Sequence, residues 1–407
     1  MNTEAFRRNP RAQRGLVGVV AAQFISSLAD NALLIVAIGL LLERDAAAWM
    51  TPALRLVFYL SYVLLAPFAG AIADAVSKSR VMLITNLVKL GGCLLLLTAL
   101  HPLLSYALIG CGAAAYSPAK YGILPELLPP EKLVAANAWI EISTVASILL
   151  GVVLGSFLLG GGNQVPHWME GHAANASALL AVLYAAAALC TTAIPYRAAS
   201  NPVACARPAA LIGDFRQSLL VLLRDPQAQV SLAVTSLFWS VAAALQFIVL
   251  RWAMESYQLT LAEAGLLQGA VALGMVAGAV FAARWVSVRR ALHVLPLGVA
   301  LGVVLLLMPW VTSVAIAALL LGLIGLLAGV FLVPMNALLQ LRGQALMHTG
   351  QSVSIQNFYE NLASILILGA YGFLLSVEVP ILPIIVGLGL AIVVAMTAII
   401  GRNKNLS

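Results

Sequence analysis

Four ionisable residues stand inside long apolar runs of the chain: Asp30, Lys89, Glu141 and Glu360. A charge in a hydrocarbon setting costs roughly 2.5–3.5 kcal/mol on insertion scales, so each must face a polar cavity or a partner. Such groups can bind a charged ligand, carry a proton or clamp helices. Polar companions accompany them at helical spacing. Gln23, Ser27, Asp30 and Asn31 share one face, and Asn137, Glu141 and Thr144 share another. Gln356, Asn357, Glu360 and Asn361 form a dense cluster, and Thr235, Trp239, Ala242 and Gln246 line a fourth face. Asp30 lies about 22 Å along its run, the deepest of the set. Its polar stripe reads as the lining of a cavity, against the alternative of a clamp to a neighbouring helix. Lys89 has two open readings, a stem that snorkels to the surface or an ion pair with Glu141. Lys120 reads either as an anchoring cation or as a phosphate contact, since a lysine suits phosphate as a point charge. Trp239 reads as packing or as part of an apolar wall. The pair His167 and His172, with Trp168 and Glu170, gives only a weak metal pattern, and we expect no metal and no cofactor.

The elements that position these residues follow from composition. Of 407 residues, 62% are hydrophobic and 9% charged, against about 25% charged in soluble domains. A water-soluble enzyme and a disordered chain are both excluded. Roughly twelve runs are long enough to span a bilayer, each needing about 20 apolar residues. They cover about 15–42, 53–74, 81–100, 104–123, 134–158 and 176–195, then about 230–254, 262–285, 292–311, 314–333, 350–374 and 380–401, with ends good to about 2–4 residues. The net charge of +7 is topogenic. With the N-terminus inside, eighteen basic residues (Arg7, Arg8, Arg207 and Lys404 among them) fall on the cytoplasmic side and three (Arg44, Arg55, Arg251) outside. Both termini are thus expected in the cytoplasm, and a nucleic-acid partner loses its support.

The stretch 196–226, with Pro202, Pro208 and Pro226, reads as a cytoplasmic linker between six-helix halves at 1–195 and 227–407. A weak repeat agrees. Gly70–Asp74 after the second run has a counterpart in Gly278–Ala282, and Tyr116–Lys120 after the fourth run has one in Leu332–Asn336. In that repeat Trp239 takes the place of Asp30.

Parallel six-helix halves are the architecture of the major facilitator superfamily. Gly70-x-x-x-Asp74-x-x-x-Lys78-x-Arg80 resembles its signature loop between helices 2 and 3, although Ala75 and Ser77 depart from the pattern. The resemblance implies an inner gate in which Gly70 permits close packing and Asp74, with Lys78 and Arg80, meets the N-terminus of helix 11. Ala22–Leu33, Gly112–Leu124, Val333–Gln340 and Gln356–Asn361 are similar to the bacterial lysophospholipid transporters. That likeness implies an all-α inner-membrane carrier that is not an enzyme. It implies a lysophospholipid substrate handed to a separate acyltransferase/acyl-carrier-protein synthetase for re-acylation.

Together these readings give a flippase for a single-chain phospholipid, working by alternating access and expected to be a monomer. The head group would meet Gln23, Asp30, Asn31, Lys120, Asn137, Glu141, Trp239, Asn357, Glu360 and Asn361, while the tail stays in lipid. The competing reading is a proton-coupled facilitator for drugs or a small solute, with Asp30, Glu141 or Glu360 as the proton site.

Overall fold

The computed structural model describes residues 10–43, 45–47, 49–96, 101–159, 172–205 and 208–402. Arg7, Arg8, Arg44, His167, Trp168, Glu170, Arg207 and Lys404 lie outside these, and of His172 only the backbone is described. A helix lies at each expected span, residues 97–100 of the third being outside the described ones: α1 (Pro10–Glu43), α2 (Met50–Ala75), α3 (Lys78–Leu95), α4 (Pro102–Gly122), α5 (Pro130–Leu158), α6 (His172–Thr191), α7 (Pro226–Tyr257), α8 (Leu261–Trp285), α9 (Leu295–Leu307), α10 (Val314–Leu346), α11 (Thr349–Ser376) and α12 (Ile381–Arg402). Nine helical stretches among the described residues are long and apolar enough to cross a membrane. One of them, Val288–Trp310, joins α9 to a short 3-10 turn at each end.

Several boundaries differ from the sequence expectation. The segment Leu332–Asn336, expected to follow the tenth span, lies inside α10, which continues to Leu346. Tyr116–Lys120 lies inside α4, in agreement with the expected run of about 104–123. Pro334 and Pro118 are accommodated within these helices. Within these helices Asn336 is buried and donates to Glu141, and Ser117 is buried and donates to Asn357. The expected linker contains a helix of its own, Leu211–Arg224, with Leu211, Phe215 and Leu222 buried while Ile212 and Leu220 are exposed.

The described residues form two compact units. The first takes residues 10–129, 143–219 and 343–358, and the second takes 130–142, 220–342 and 359–402. In the first, α2 packs on α4, α4 on α3, and α1 and α3 both on α6. The core draws Leu33, Val36 and Leu41 from α1, Leu54 from α2, Ile109 from α4 and Leu180 from α6. Its outer surface is apolar as well. Leu56, Leu60, Leu64, Phe68 and Ile72 are all exposed at four-residue spacing along α2. A stripe of this kind, left open on a helix already buried on its other side, fits a hydrocarbon solvent.

In the second unit α9 packs on α12, and α7 on α8 and α12. Between α8 and α10 the backbones themselves meet. A Cβ placed on Gly278 would lie 2.2 Å from the Leu326 carbonyl oxygen, and one on Gly325 would lie 2.0 Å from that of Val271. Apolar side chains gain nothing by leaving lipid, so close backbone packing supplies much of the attraction between such helices. At the entry to α7, Asp225 caps the helix by accepting from the Ala228 amide at 2.9 Å and pairs with Arg342 of α10. Burial pushes the Asp225 carboxyl up, but the hydrogen bonds from Arg342 and from the Ala228 amide outweigh it and hold its pKa below the ordinary value.

Two predictions follow from these contacts. Gly278→Ala should lower the thermal midpoint of the purified protein, at a cost of about 1–3 kcal/mol for overpacking. Gly269→Ala, on the same helix with open space around it, should leave the midpoint unchanged. Because the folded pKa of Asp225 is lowered, its contribution to stability is present at neutral pH and is lost as pH falls through that lowered value. A pH–stability scan of Asp225→Asn should therefore converge on wild type only in acid.

Candidate functional site

The deepest anion, Asp30, has two partners at hydrogen-bond distance. Asp30 Oδ2 accepts from Lys89 Nζ at 2.7 Å, and Asp30 Oδ1 accepts from the Tyr184 hydroxyl at 2.8 Å. Lys89 also donates to Ser26 Oγ at 3.0 Å, and Ser26 donates to Asn86 Oδ1 at 2.8 Å. Its ammonium stands 5.1 Å from the centre of the Tyr116 ring. Three helices of the first unit, α1, α3 and α6, thus meet on one ion pair, with α4 supplying the aromatic face. Lys89 is 1% exposed and takes Asp30 as its partner, so it does not snorkel. Burying the charge is tolerable because attraction, two further hydrogen bonds and the ring replace the lost solvent.

The polar stripe on α1 divides. Gln23 donates to Thr144 Oγ1 of α5 at 3.0 Å, and Asn31 turns back on the Ser27 carbonyl at 2.8 Å. Asn31 also sits where α5 approaches α1 closely, since a Cβ on Gly151 would lie 2.7 Å from the Asn31 Cβ. Lys120 is buried and stacks its ammonium 4.1 Å over the Tyr121 ring, which is more than a surface anchor does. Asn357 accepts from Ser117 Oγ at 3.2 Å.

The predicted gate residues also meet in the first unit. Asp74 accepts from the backbone amides of Gly350 and Gln351, both at 2.9 Å, and so caps the N-terminus of α11. The partial positive charge of a helix N-terminus favours a carboxylate there. Ser200 adds a hydrogen bond to Asp74 Oδ1 at 3.0 Å, and the Asn201 amide donates to the Asp74 carbonyl. Lys78, buried, lies 3.6 Å from Asp74 and pairs with Glu126 at 2.6 Å. Gly70 allows this approach, because a Cβ there would lie 2.9 Å from the Ser354 Cβ and 3.0 Å from the Gln351 Cα. Arg80 stacks over the Tyr196 ring at 5.2 Å.

The second unit holds a separate polar set. Asn137 and Gln340 exchange amide hydrogen bonds at 2.9 and 2.8 Å, and Asn336 donates to Glu141 Oε1 at 3.2 Å. Asn137 and Glu141 are fully buried. Glu360 is nearly buried, and Ser364 donates to its carbonyl at 2.7 Å. Asn361 and Trp239 are half-buried, and Trp239 packs edge-on against Phe238 at 5.3 Å. Reasoning from sequence missed Tyr184, Ser26, Asn86, Asn336, Gln340, Glu126 and Ser200. Asn336 and Gln340, four residues apart in an apolar run, carried the signal that would have found two of them. Tyr184 carried none, since a lone tyrosine in an apolar helix is ordinary packing.

A multi-pass helical protein with a capped helix end and buried polar clusters has the features of a membrane carrier. The sequence matches the Major Facilitator Superfamily model over residues 19–368. It is 40% identical over 383 residues to the lysophospholipid transporter LplT of Yersinia enterocolitica, covering 94% of this chain and 92% of that protein. The LplT of Yersinia pestis is 39% identical over 385 residues, with the same coverage. Among solved structures, the fold is similar to that of the superfamily transporter FucP in its outward conformation. The TM-score is 0.75 at 13% identity, over 95% of this chain and 98% of that one. It is also similar to the human organic anion transporter MFSD10 (TM-score 0.73, 17% identity, 95% and 100% covered). The chain belongs to the Major Facilitator Superfamily and, within it, to the family of the bacterial lysophospholipid transporters.

Removing the Asp74 carboxylate in Asp74→Ala should uncap α11 at a cost of about 0.5–2 kcal/mol. Hydrogen–deuterium exchange should then quicken at Gly350 and Gln351, and not at amides of the second unit.

Proposed function

We propose that this protein moves lysophospholipids from the outer to the inner leaflet of a bacterial inner membrane by alternating access. In this reading its spans form two six-helix halves, at 1–195 and 227–407, joined by a cytoplasmic linker, with both termini in the cytoplasm. The observation that carries the reading is 40% identity along 94% of the chain to a protein named as a lysophospholipid transporter. The chemistry of the first unit supports it. A phosphoethanolamine head carries one anion and one cation, and the buried pair Lys89 and Asp30 offers the complementary charges at 2.7 Å. A head that inserted between them would exchange one ion pair for two, with its ammonium on Asp30 and its phosphate on Lys89 or Lys120. The tail gains nothing by leaving lipid, so it needs only an apolar path. Gln23, Asn31, Asn137, Glu141, Asn357, Glu360, Asn361 and Trp239 complete the proposed head-group contacts. Asp74, with Gly70, Lys78 and Arg80, acts as the inner gate, because the α11 cap must break for that side to open.

The protein acts as a carrier without chemistry of its own. The delivered lipid goes to a separate acyltransferase/acyl-carrier-protein synthetase for re-acylation.

Uptake of labelled lysophosphatidylethanolamine by spheroplasts tests the reading. Wild type should import the lipid, and Asp30→Ala should abolish import. Asp30→Ala also strands Lys89 without its carboxylate, a loss of about 3–5 kcal/mol for a broken buried pair. The double variant Asp30→Asn with Lys89→Met should therefore recover the thermal midpoint while remaining inactive. Import by the stable double variant at the wild-type rate would show that the pair only holds the helices together.

A further inference from the structure

Beside the inner gate, and still within the first unit, lies a pocket of about 440 Å³, lined among others by Glu126, Arg197, Ser200, Gln344, His348 and Thr349. This volume falls within the range of small-molecule sites, roughly 300–1,000 Å³. Its charges are unevenly spent. The Glu126 carboxylate is held by Lys78 at 2.6 Å, so the acid in the wall is already paired. The side chains of Arg197, Gln344 and His348 have no hydrogen-bond or ion-pair partner among the described residues. What remains for a ligand is a guanidinium, an imidazole and an amide, since Ser200 spends its one proton on Asp74. A planar guanidinium beside neutral donors is the donor set that recognises phosphate.

We infer that this pocket binds a phosphate group on the cytoplasmic side, borne either by a lipid head group or by a soluble phosphate ester, and that its occupant holds the gate engaged. The second part follows from the walls. Arg197 and Ser200 come from the segment after α6, Glu126 from the short helix Leu124–Leu127, and Gln344 and His348 from the α10–α11 corner. Ser200 donates to Asp74, and Asp74 accepts from Gly350, two residues beyond His348. A phosphate bridging Arg197 and His348 ties together the same two segments that Asp74 ties. The binding chemistry does not depend on which substrate the carrier moves.

The test uses the full-length protein in detergent. The probes are inorganic phosphate and glycerophosphoethanolamine, with chloride at matched ionic strength as the control. Both phosphate probes should raise the thermal midpoint and slow hydrogen–deuterium exchange at Gly350 and Gln351. Arg197→Gln should weaken the apparent affinity by roughly tenfold or more. His348→Gln should weaken it less, and Arg55→Gln not at all. Competition by micellar lysophosphatidylethanolamine assigns the phosphate to a lipid head. Lack of competition assigns it to a soluble ester, and both results support the site. The inference is overturned if chloride matches phosphate, or if Arg197→Gln responds to phosphate as wild type does. Uptake assays on the same variants keep the two conclusions apart. A protein that binds phosphate through Arg197 yet imports no lysophospholipid retains the site and loses the transport reading.

Discussion

The rest of this structure depends on one requirement, that a charge placed among apolar helices must be met at hydrogen-bond distance by something that replaces water. Asp30 and Lys89 show what this demands. The carboxylate takes an ammonium and a phenol, and the ammonium takes a carboxylate, a hydroxyl and a ring face. Those groups come from four helices of the first unit. Their positions cannot vary independently without stranding a charge. The pair therefore fixes how α1, α3, α4 and α6 sit together more firmly than apolar packing alone, since Leu and Ile side chains tolerate exchange of similar volume. Its stabilising value against a well-packed apolar equivalent is small or negative, so what it contributes is specificity of arrangement.

The same requirement acts at Asp74 through a different donor. Asp74 has no full cation in close contact, since Lys78 lies 3.6 Å away and is shared with Glu126. Two backbone amides at the start of α11 supply the compensation instead. Because these donors belong to one helix end, they are lost together when that end withdraws. A side-chain ion pair can stretch and follow, whereas a helix cap is made or broken as a unit. This cooperativity suits a latch. Gly70 and Gly350 matter for the same reason, because a Cβ on Gly350 would lie 2.6 Å from Asp74 Oδ1 and close off the approach.

How much of this was legible in the sequence depends on whether a residue's role is local. Helices at all the expected spans were legible, because apolar length alone marks them. So were the candidates Asp30, Glu141 and Glu360, because a charge in an apolar run is conspicuous wherever it points. Partners were not legible. Lys89 sits at a depth similar to that of Glu141, and depth offered no way to choose Asp30 over it. Helix rotation decides the matter, and rotation is set by contacts such as Gly151 on Asn31 that no single helix encodes. Asn336 was placed beyond the tenth span because polarity at a helix end looks like solvent exposure. Buried amides that exchange hydrogen bonds with Asn137 have the same composition and the opposite environment.

Glycine shows the other side of the distinction. In α8 and α10, Gly278 and Gly325 stand where one helix's backbone meets the other's, and any side chain would force the pair apart. Gly269, Gly369 and Gly387 have open space around them. A sequence of this composition offers glycines everywhere, and those that set helix spacing look the same as those that do not. The apolar residues specify that the chain lives in lipid, and they do so redundantly. Which helix touches which, at what rotation and at what distance, is carried by a small minority of residues. In the first unit these are the paired charges and amides, and in the second they are the amides and the glycines at backbone contacts. A carrier that must break and remake its inner contacts gains from this division. The apolar surface keeps each helix in the membrane through the cycle, while a few directional contacts, such as the Asp74 cap, can be exchanged without changing how much apolar surface faces lipid.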